Sequence, residues 1–491
     1  MNMNLANAGA LGLALLAAIL LFFSTPWGLE TSPDSLGYID MARAIGGPEA
    51  LAGLDTHWPP LYPLSLRLSE WTWGEILSGA RFTHCLLHAI NILAFYSICA
   101  GQSAPGRLSA VSTTCLFAFS PFTYFISQAM VSEVLFVTWI LLALLALRRA
   151  DTDQGGLAPV ALMFACALLT RYSAVAFIGV ACLWLLSDSS RPWFQRWSRS
   201  IVLGLASIAP LVVWLLVQSG NENAPRQLGW HPISLARALQ LFDVLLVWAQ
   251  ANVIGTAAAA CLLGVCIMAS LTLTKSLQES EKRYAALLMA TPLGYMLFLV
   301  LSISLFDFYT PIDARILHPG GVVLLAAMGF IASRQRHRII AASAPPLIVF
   351  VLGVPALNEQ IANNIDGGSG YFSRPFREQD LLPIIDSLDT DKIYSNAPEV
   401  FPLYFGHTAQ KLPVMYSPIN NQFHADYGIK MEAMERDVLA GRAVIVYFNT
   451  FAWREYYPDL EVLATQMALP VVFPGNSGVI FGLDTKRDQA D

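Results

Sequence analysis

"MNMNLANAGALGLALLAAILLFF" (Met1–Phe23) is followed, after a short connector, by "TSPDSLGYIDMARAIGG" (Thr31–Gly47). The first stretch has no Lys or Arg, a long apolar core and no small-x-small cleavage site ahead of the acids that follow. It reads as an uncleaved first membrane helix rather than a signal peptide. The second stretch puts Asp34 close to where that helix leaves the bilayer, with Tyr38 and Asp40 behind it. Carboxylates beside a lipid boundary are costly and are placed there for a reason. Ser32 or Thr31 can cap a helix here, Pro33 suits its first turn, and Asp34 then meets the positive end of the dipole. Tyr38, Met41, Ala42 and Ile45 recur at helical spacing, a stripe suited to the membrane interface that would hold Asp34 outward at the lipid surface. On these residues alone, Asp34 is either a helix cap or a reactive group.

Composition sets the class. Over 491 residues the chain is 55% hydrophobic and 13% charged, about half the charged fraction of an ordinary soluble domain. The apolar residues gather into runs of roughly bilayer length, which makes this a polytopic α-helical membrane protein with about eleven spans. They fall near 8–27, 82–100, 108–126, 133–147, 157–170, 172–187, 201–218, 244–271, 284–305, 316–332 and 339–356. Basic residues cluster in alternate loops, at Arg148 and Arg149, at Arg191, Arg196 and Arg199, at Lys275, Lys282 and Arg283, and at Arg334, Arg336 and Arg338. The positive-inside rule then places the N-terminus in the cytoplasm, residues 28–81 in a large first external loop and the C-terminal part outside. That part, residues 357–491, changes character. "KIYSN", "AVIVYFN" and "GVIFGLD" are short β-type runs separated by helical stretches such as "NQFHADYGIKMEAMERDVLAG", the pattern of a small external, periplasmic α/β domain. A net charge of -6 argues against a nucleic-acid partner. The seven cysteines all lie in or beside apolar runs and read as small hydrophobes rather than disulfides or zinc ligands.

The first loop continues "LDTHWPPLYPLSLRL" (Leu54–Leu68). Two prolines stiffen it, Trp58 and Tyr62 suit an interface, and His57 is either a phosphate or acid partner or a neutral structural donor. An acid with a tyrosine one turn later, directly after the first span, and then "HWPPLYPL", resembles the GT-C superfamily of membrane glycosyltransferases. Within it, the chain looks like the branch of protein O-mannosyltransferases and the lipid A aminoarabinose transferase. The similarity continues through "ISQAMVSEVLFVTWILLALLAL" (Ile126–Leu147), "ALLTRYSAVAFI" (Ala167–Ile178) and "DARILHPGGVVLLAAM" (Asp313–Met328). It implies a transmembrane catalytic domain over residues 1–356. It also implies an inverting transfer of sugar from a polyprenyl-phosphate carrier to a protein, lipid or polysaccharide acceptor, at the external face of the cytoplasmic membrane.

By that resemblance Asp34 matches the catalytic acid, and Ser35 stands where many relatives carry a second acid. The departure leaves a divalent cation possible but no cofactor certain. Arg171 interrupts an apolar run at an external turn, and Arg315 opens a later span. Both are candidate ligands of the lipid phosphate, set against snorkelling or pairing, such as Arg315 with Asp313. Arg81 is a third candidate. Glu133, at the external start of the fourth span, either positions those arginines or serves its helix dipole; Tyr38, His57 and His318 are supporting candidates. His84 and His88, four apart, could share a metal, yet no third ligand is evident and hydrogen bonding inside the bundle explains them better. A sugar-lipid transporter or flippase is the rival reading, disfavoured by the absence of an internal repeat. A catalytically inactive glycan-assembly subunit is the other.

Overall fold

The structure, a computed structural model, describes residues 5–45, 57–151, 155–218, 277–306, 310–335, 339–388, 392–417 and 422–483, with isolated residues between 230 and 274 and residue 390. Two compact units result. The first comprises Met1–Pro225, Pro232–Ser302 and Pro311–Gly368, the second Arg226–His231, Ile303–Thr310 and Ser369–Asp491.

The first unit is helical. Its elements are α1 (Leu5–Phe23), α2 (Pro33–Ala44), α3 (Leu61–Trp73), α4 (Ile76–Cys99), α5 (Ala104–Phe119), α6 (Pro121–Gln128), α7 (Glu133–Asp151), α8 (Leu157–Thr170), α9 (Ala174–Leu186), α10 (Trp193–Val217), α11 (Glu279–Leu305), α12 (Ala314–Ala332) and α13 (Ile339–Asp366). Five of the described helices, α1, α4, α10, α11 and α12, are long and apolar enough to cross a bilayer, and the bent pair α5–α6 makes a sixth if it crosses as one. The helices α8 and α9 have 14 and 13 residues. At roughly 20 Å each they fall short of a hydrocarbon core ~30 Å thick, so the turn between them, which carries Arg171, need not lie at a lipid surface.

Three hydropathy boundaries move. The run read as one span over 108–126 breaks at Ser120, where the chain bends by 50°. Ser120 is extended, its hydroxyl accepts from the Thr123 amide at 3.1 Å, and Pro121 starts a new helix, a start signal strong enough to divide an apolar run. The first loop, expected over 28–81, holds α2 and α3, and α4 already begins at Ile76. The last run ends at 356, but α13 continues to Asp366, ten residues into the expected C-terminal domain. Hydropathy marks where apolar side chains stop, which is not where the helix stops. The eighth run, 244–271, lies outside the described residues except for Val244.

The bundle core is packed by aromatic contacts between distant helices. Phe95 of α4 stacks on Phe117 of α5 at 4.5 Å, and Phe177 of α9 meets Phe136 of α7 and Tyr295 of α11. Glycines set the closest helix approaches. A Cβ at Gly106 would lie 2.2 Å from the Ser333 carbonyl oxygen, and one at Gly329 2.8 Å from the Cys99 sulfur.

The second unit holds a five-stranded sheet in the order β2-β1-β3-β5-β4. The strands β1 (Ile393–Ser395), β2 (Gln410–Lys411) and β3 (Val444–Phe448) run parallel; β5 (Gly478–Phe481) pairs antiparallel with β3 and with β4 (Val471–Pro474). The three β-type runs of the sequence are β1, β3 and β5, and the long helical stretch is Tyr427–Leu439. The short strands β2 and β4 carry too little pattern to be read.

Gly106→Ala is expected to force α5 off the end of α12 and destabilise the bundle by about 1–3 kcal/mol through overpacking. Gly12→Ala, where nothing lies within 4 Å of the added carbon, should leave the thermal transition in detergent unchanged.

Candidate functional site

The segment after α1 is laced to the segment before α7. The Glu30 amide donates to the Gln128 carbonyl at 2.9 Å, the Met130 amide to the Glu30 carbonyl at 2.8 Å, and a lone parallel bridge pairs Glu30 with Ala129. The helix α2 then starts in a reciprocal cap: the Ser32 hydroxyl accepts from the Ser35 amide, and the Ser35 hydroxyl accepts from the Ser32 amide at 2.9 Å. Ser35 is fully buried and also donates to the Met130 carbonyl at 2.8 Å. The position where the family resemblance suggests a second acid is therefore a structural pin. One turn on, the Tyr38 hydroxyl meets that of Ser132 at 3.2 Å.

These bonds decide which way α2 faces. Tyr38, Met41 and Ala42 are buried in protein, Tyr38 against Tyr62 and Trp58 and Met41 beside Trp214. The apolar stripe expected to lie in the membrane interface packs instead on the bundle. Asp34, expected to face the lipid surface, is turned towards charge.

Four charged groups from four parts of the chain meet there. Arg315, in the first turn of α12, donates through Nη2 to Asp34 Oδ2 at 2.6 Å and through Nε to Glu133 Oε1 at 2.5 Å. Arg171, at the end of α8, reaches the same Glu133 oxygen with Nη1 at 2.7 Å and donates to Ser132 Oγ at 3.0 Å. Side-chain exposure rises from nothing at Glu133 through 17% at Arg171 and 24% at Arg315 to 35% at Asp34, so Asp34 is the most accessible member. Two carboxylates and two guanidiniums balance, and charge-assisted bonds offset the desolvation that would otherwise expel them. Asp313 is not the partner of Arg315; its carboxylate caps α12 by accepting from the Ile316 amide at 2.9 Å. Burial, then the nearby Asp34 charge, pushes the Tyr38 phenol up to about 12, which leaves Tyr38 a neutral hydrogen-bonding group beside the cluster.

The other candidates lie in other contacts. Arg81 donates to the Phe22 carbonyl and to Thr25 Oγ1, and its guanidinium covers the Phe22 ring; it ties α4 to the end of α1 and makes none of the bonds of the four-charge cluster. His57 meets the Trp58 ring edge-on at 4.7 Å. His318 is buried edge-on against Phe122, with neither ring nitrogen hydrogen-bonded among the described residues. His84 shares Nδ1 with the Ser127 carbonyl at 3.1 Å and Nε2 with the Tyr62 hydroxyl at 2.9 Å, and His88 Nδ1 meets Ser127 Oγ at 3.0 Å. This is the bundle hydrogen bonding expected of the pair. Among the described residues, no three His, Cys, Asp or Glu side chains gather as a metal site. Sequence reasoning missed Ser132 and Ser35 as structural partners, and the only signal for Ser132 was its place directly before Glu133.

The fold is one shared with solved GT-C glycosyltransferases, and five of the described helices are long and apolar enough to cross a bilayer. Residues 57–214 match the family model described as dolichyl-phosphate-mannose-protein mannosyltransferase. The chain is similar over 96% of its length, and over 97% of the other chain, to ArnT from Cupriavidus metallidurans bound to undecaprenyl phosphate, with 12% identity and a TM-score of 0.60. The Archaeoglobus fulgidus oligosaccharyltransferase in complex with zinc and sulfate matches over 93% of this chain and 70% of its own, at 13% identity and a TM-score of 0.54. Arabinofuranosyltransferase AftD from Mycobacteria matches 98% of this chain and 40% of its own, at 14% identity and a TM-score of 0.51. No curated protein matches the sequence.

Glu133→Gln removes the carboxylate that Arg171 pairs with and leaves Arg315 with Asp34. It should destabilise the protein by about 3–5 kcal/mol, the usual cost of breaking a buried pair, while Glu279→Gln, which breaks an exposed pair with Lys282, leaves the thermal transition in place. A pH test concerns Glu30, whose Oε2 is buried and has no hydrogen-bond partner among the described residues. Burial raises its pKa above the ordinary 4.5, opposed by a hydrogen bond from Gln128. The folded state therefore holds the proton more tightly than the unfolded one, and stability falls as pH rises through the window above 4.5. Glu30→Gln should be more stable than wild type at neutral pH and lose that part of the pH dependence, measured by thermal unfolding from pH 4 to 8.

Proposed function

We propose that this chain is an inverting glycosyltransferase that moves a sugar from a polyprenyl-phosphate carrier to an acceptor hydroxyl at the external face of a cytoplasmic membrane. The single observation that carries the reading is Arg315 bridging the half-open Asp34 and the buried Glu133. Inverting transfer needs a base for the acceptor and a cation for the leaving phosphate close together, and this pair is already in contact. The acceptor oxygen forms its bond to the anomeric carbon as the bond from that carbon to the phosphate oxygen breaks. The proton passes to Asp34, and the electron pair goes to the phosphate.

Charge accounts for the arrangement. The carrier diester has one negative charge and the released phosphate gains a second, while Asp34 loses its own by taking the proton. Arg315, held by Asp34 beforehand, is then free to meet the phosphate, and Arg171 supports it from the other side of Glu133. No divalent cation is required by this scheme. Support from outside the site comes from ArnT, whose structure holds undecaprenyl phosphate. The eleven-span topology, with the N-terminus inside and the second unit outside, belongs to the same proposal and is supported by the alternation of basic loops.

The test uses membranes containing the full chain and labelled sugars on a panel of polyprenyl phosphates. Asp34→Asn keeps shape and hydrogen bonding but is a poor base, so transfer should fall by about 10²–10⁴-fold with carrier binding intact. Wild-type transfer that survives unchanged in the variant would remove Asp34 from the chemistry.

A further inference from the structure

Trp58 is held unusually close to the helix that carries Asp34. A Cβ on Gly37 would lie 2.4 Å from Cη2 and 2.5 Å from Cζ3 of the indole. No side chain fits between the benzo edge of the ring and the α2 backbone, so glycine is needed at that position for space rather than for its conformation. Tyr38 meets the ring at 5.4 Å and His57 at 4.7 Å, and the ring packs on the Met41–Trp214 cluster that Leu169 and Leu211 also touch. The indole nevertheless remains half-buried.

Asp34 and Gly37 are three residues apart on α2 and so share a helix face. The ring therefore lies against α2 about one turn, an axial rise of ~5 Å, from the position that carries Asp34. Leu169, in contact with the same cluster, is two residues before Arg171. Trp58 thus packs both on the helix that presents the acid and on a cluster that the residue two before the arginine also touches. In the proposed reaction the sugar is held beside Asp34, within reach of that ring. An aromatic face carries negative charge density and attracts the weakly positive hydrogens of an apolar C–H surface, while the sugar's hydroxyls are left to polar groups.

We infer that Trp58 is the platform on which the sugar of the lipid-linked donor stacks, and that Gly37 is present to let the ring reach that position. Trp58 is thereby a specificity-determining residue that favours sugars with an unbroken C–H face. The inference rests on the donor class proposed above.

The experiment measures binding of undecaprenyl phosphate and of its mannosyl, glucosyl and arabinosyl esters to the full-length protein in detergent. It compares wild type with Trp58→Leu, Trp58→Phe and Gly37→Ala, each checked for a cooperative thermal transition. Trp58→Leu should weaken at least one glycosylated carrier by roughly three- to ten-fold and leave the bare phosphate unchanged. Trp58→Phe should retain most of the preference. Gly37→Ala, which displaces the ring without removing it, should show the same selective loss as the leucine variant, and it decides the matter if that variant does not fold. Equal losses for bare and glycosylated carriers, or no loss, would make Trp58 a packing wedge and overturn the inference. A wild-type protein that binds the bare carrier but shows no preference for any sugar ester overturns it too, leaving the donor reading intact. A wild type that binds none of the four sinks the donor reading and the inference together.

Discussion

Glu133 has no access to water and carries a charge, and much of the first unit is arranged around that fact. An isolated carboxylate in such a place would cost several kcal/mol. It is retained because two guanidiniums converge on one of its oxygens, Arg171 from the turn after α8 and Arg315 from the first turn of α12. Each arginine is expensive in a bundle without the carboxylate. The three elements that carry these residues are therefore held to one meeting point. Asp34 joins as the outermost member, and its position depends on Arg315 as much as on its own helix.

That dependence explains how the first loop is built. Its bonds to residues 128–132 involve a lone backbone bridge at Glu30, the buried Ser35 hydroxyl and the pair of hydroxyls on Tyr38 and Ser132. All fall within a few residues of Asp34 or Glu133. The loop and the start of α7 form one frame, which fixes the distance between the outer acid and the inner one. In a chain where Ser35 was an acid, that residue could not occupy its buried place against the Met130 carbonyl, so the single-acid site and the pinned start of α2 are the same feature.

Solvent exposure along the cluster also orders its chemistry. The buried end holds a carboxylate shut off from water, and the open end presents a carboxylate with an arginine already on it. A reaction that moves a proton to that carboxylate changes what its arginine can bind. Coupling of this kind needs no moving domain, only a guanidinium shared by two acids.

The sequence alone determined that the chain is dominated by long apolar helices and resembles the GT-C superfamily, because bilayer-length apolar runs and short motifs are local in the chain. It also singled out Asp34, Arg171, Arg315 and Glu133, since charges within or beside apolar runs are rare enough to be conspicuous. A cap at Ser32 or Thr31 and the strands β1, β3 and β5 were legible for the same local reason, and the structure puts the cap at Ser32. Only the tertiary structure decided who pairs with whom: Asp34 and Arg315 are 281 residues apart and Glu133 and Arg315 182, and no local pattern links them. It also decided that the stripe on α2 faces protein. Lipid and protein interiors are equally apolar, so a hydrophobic face looks the same in sequence whichever of the two it meets, and only the partners across the bundle distinguish them.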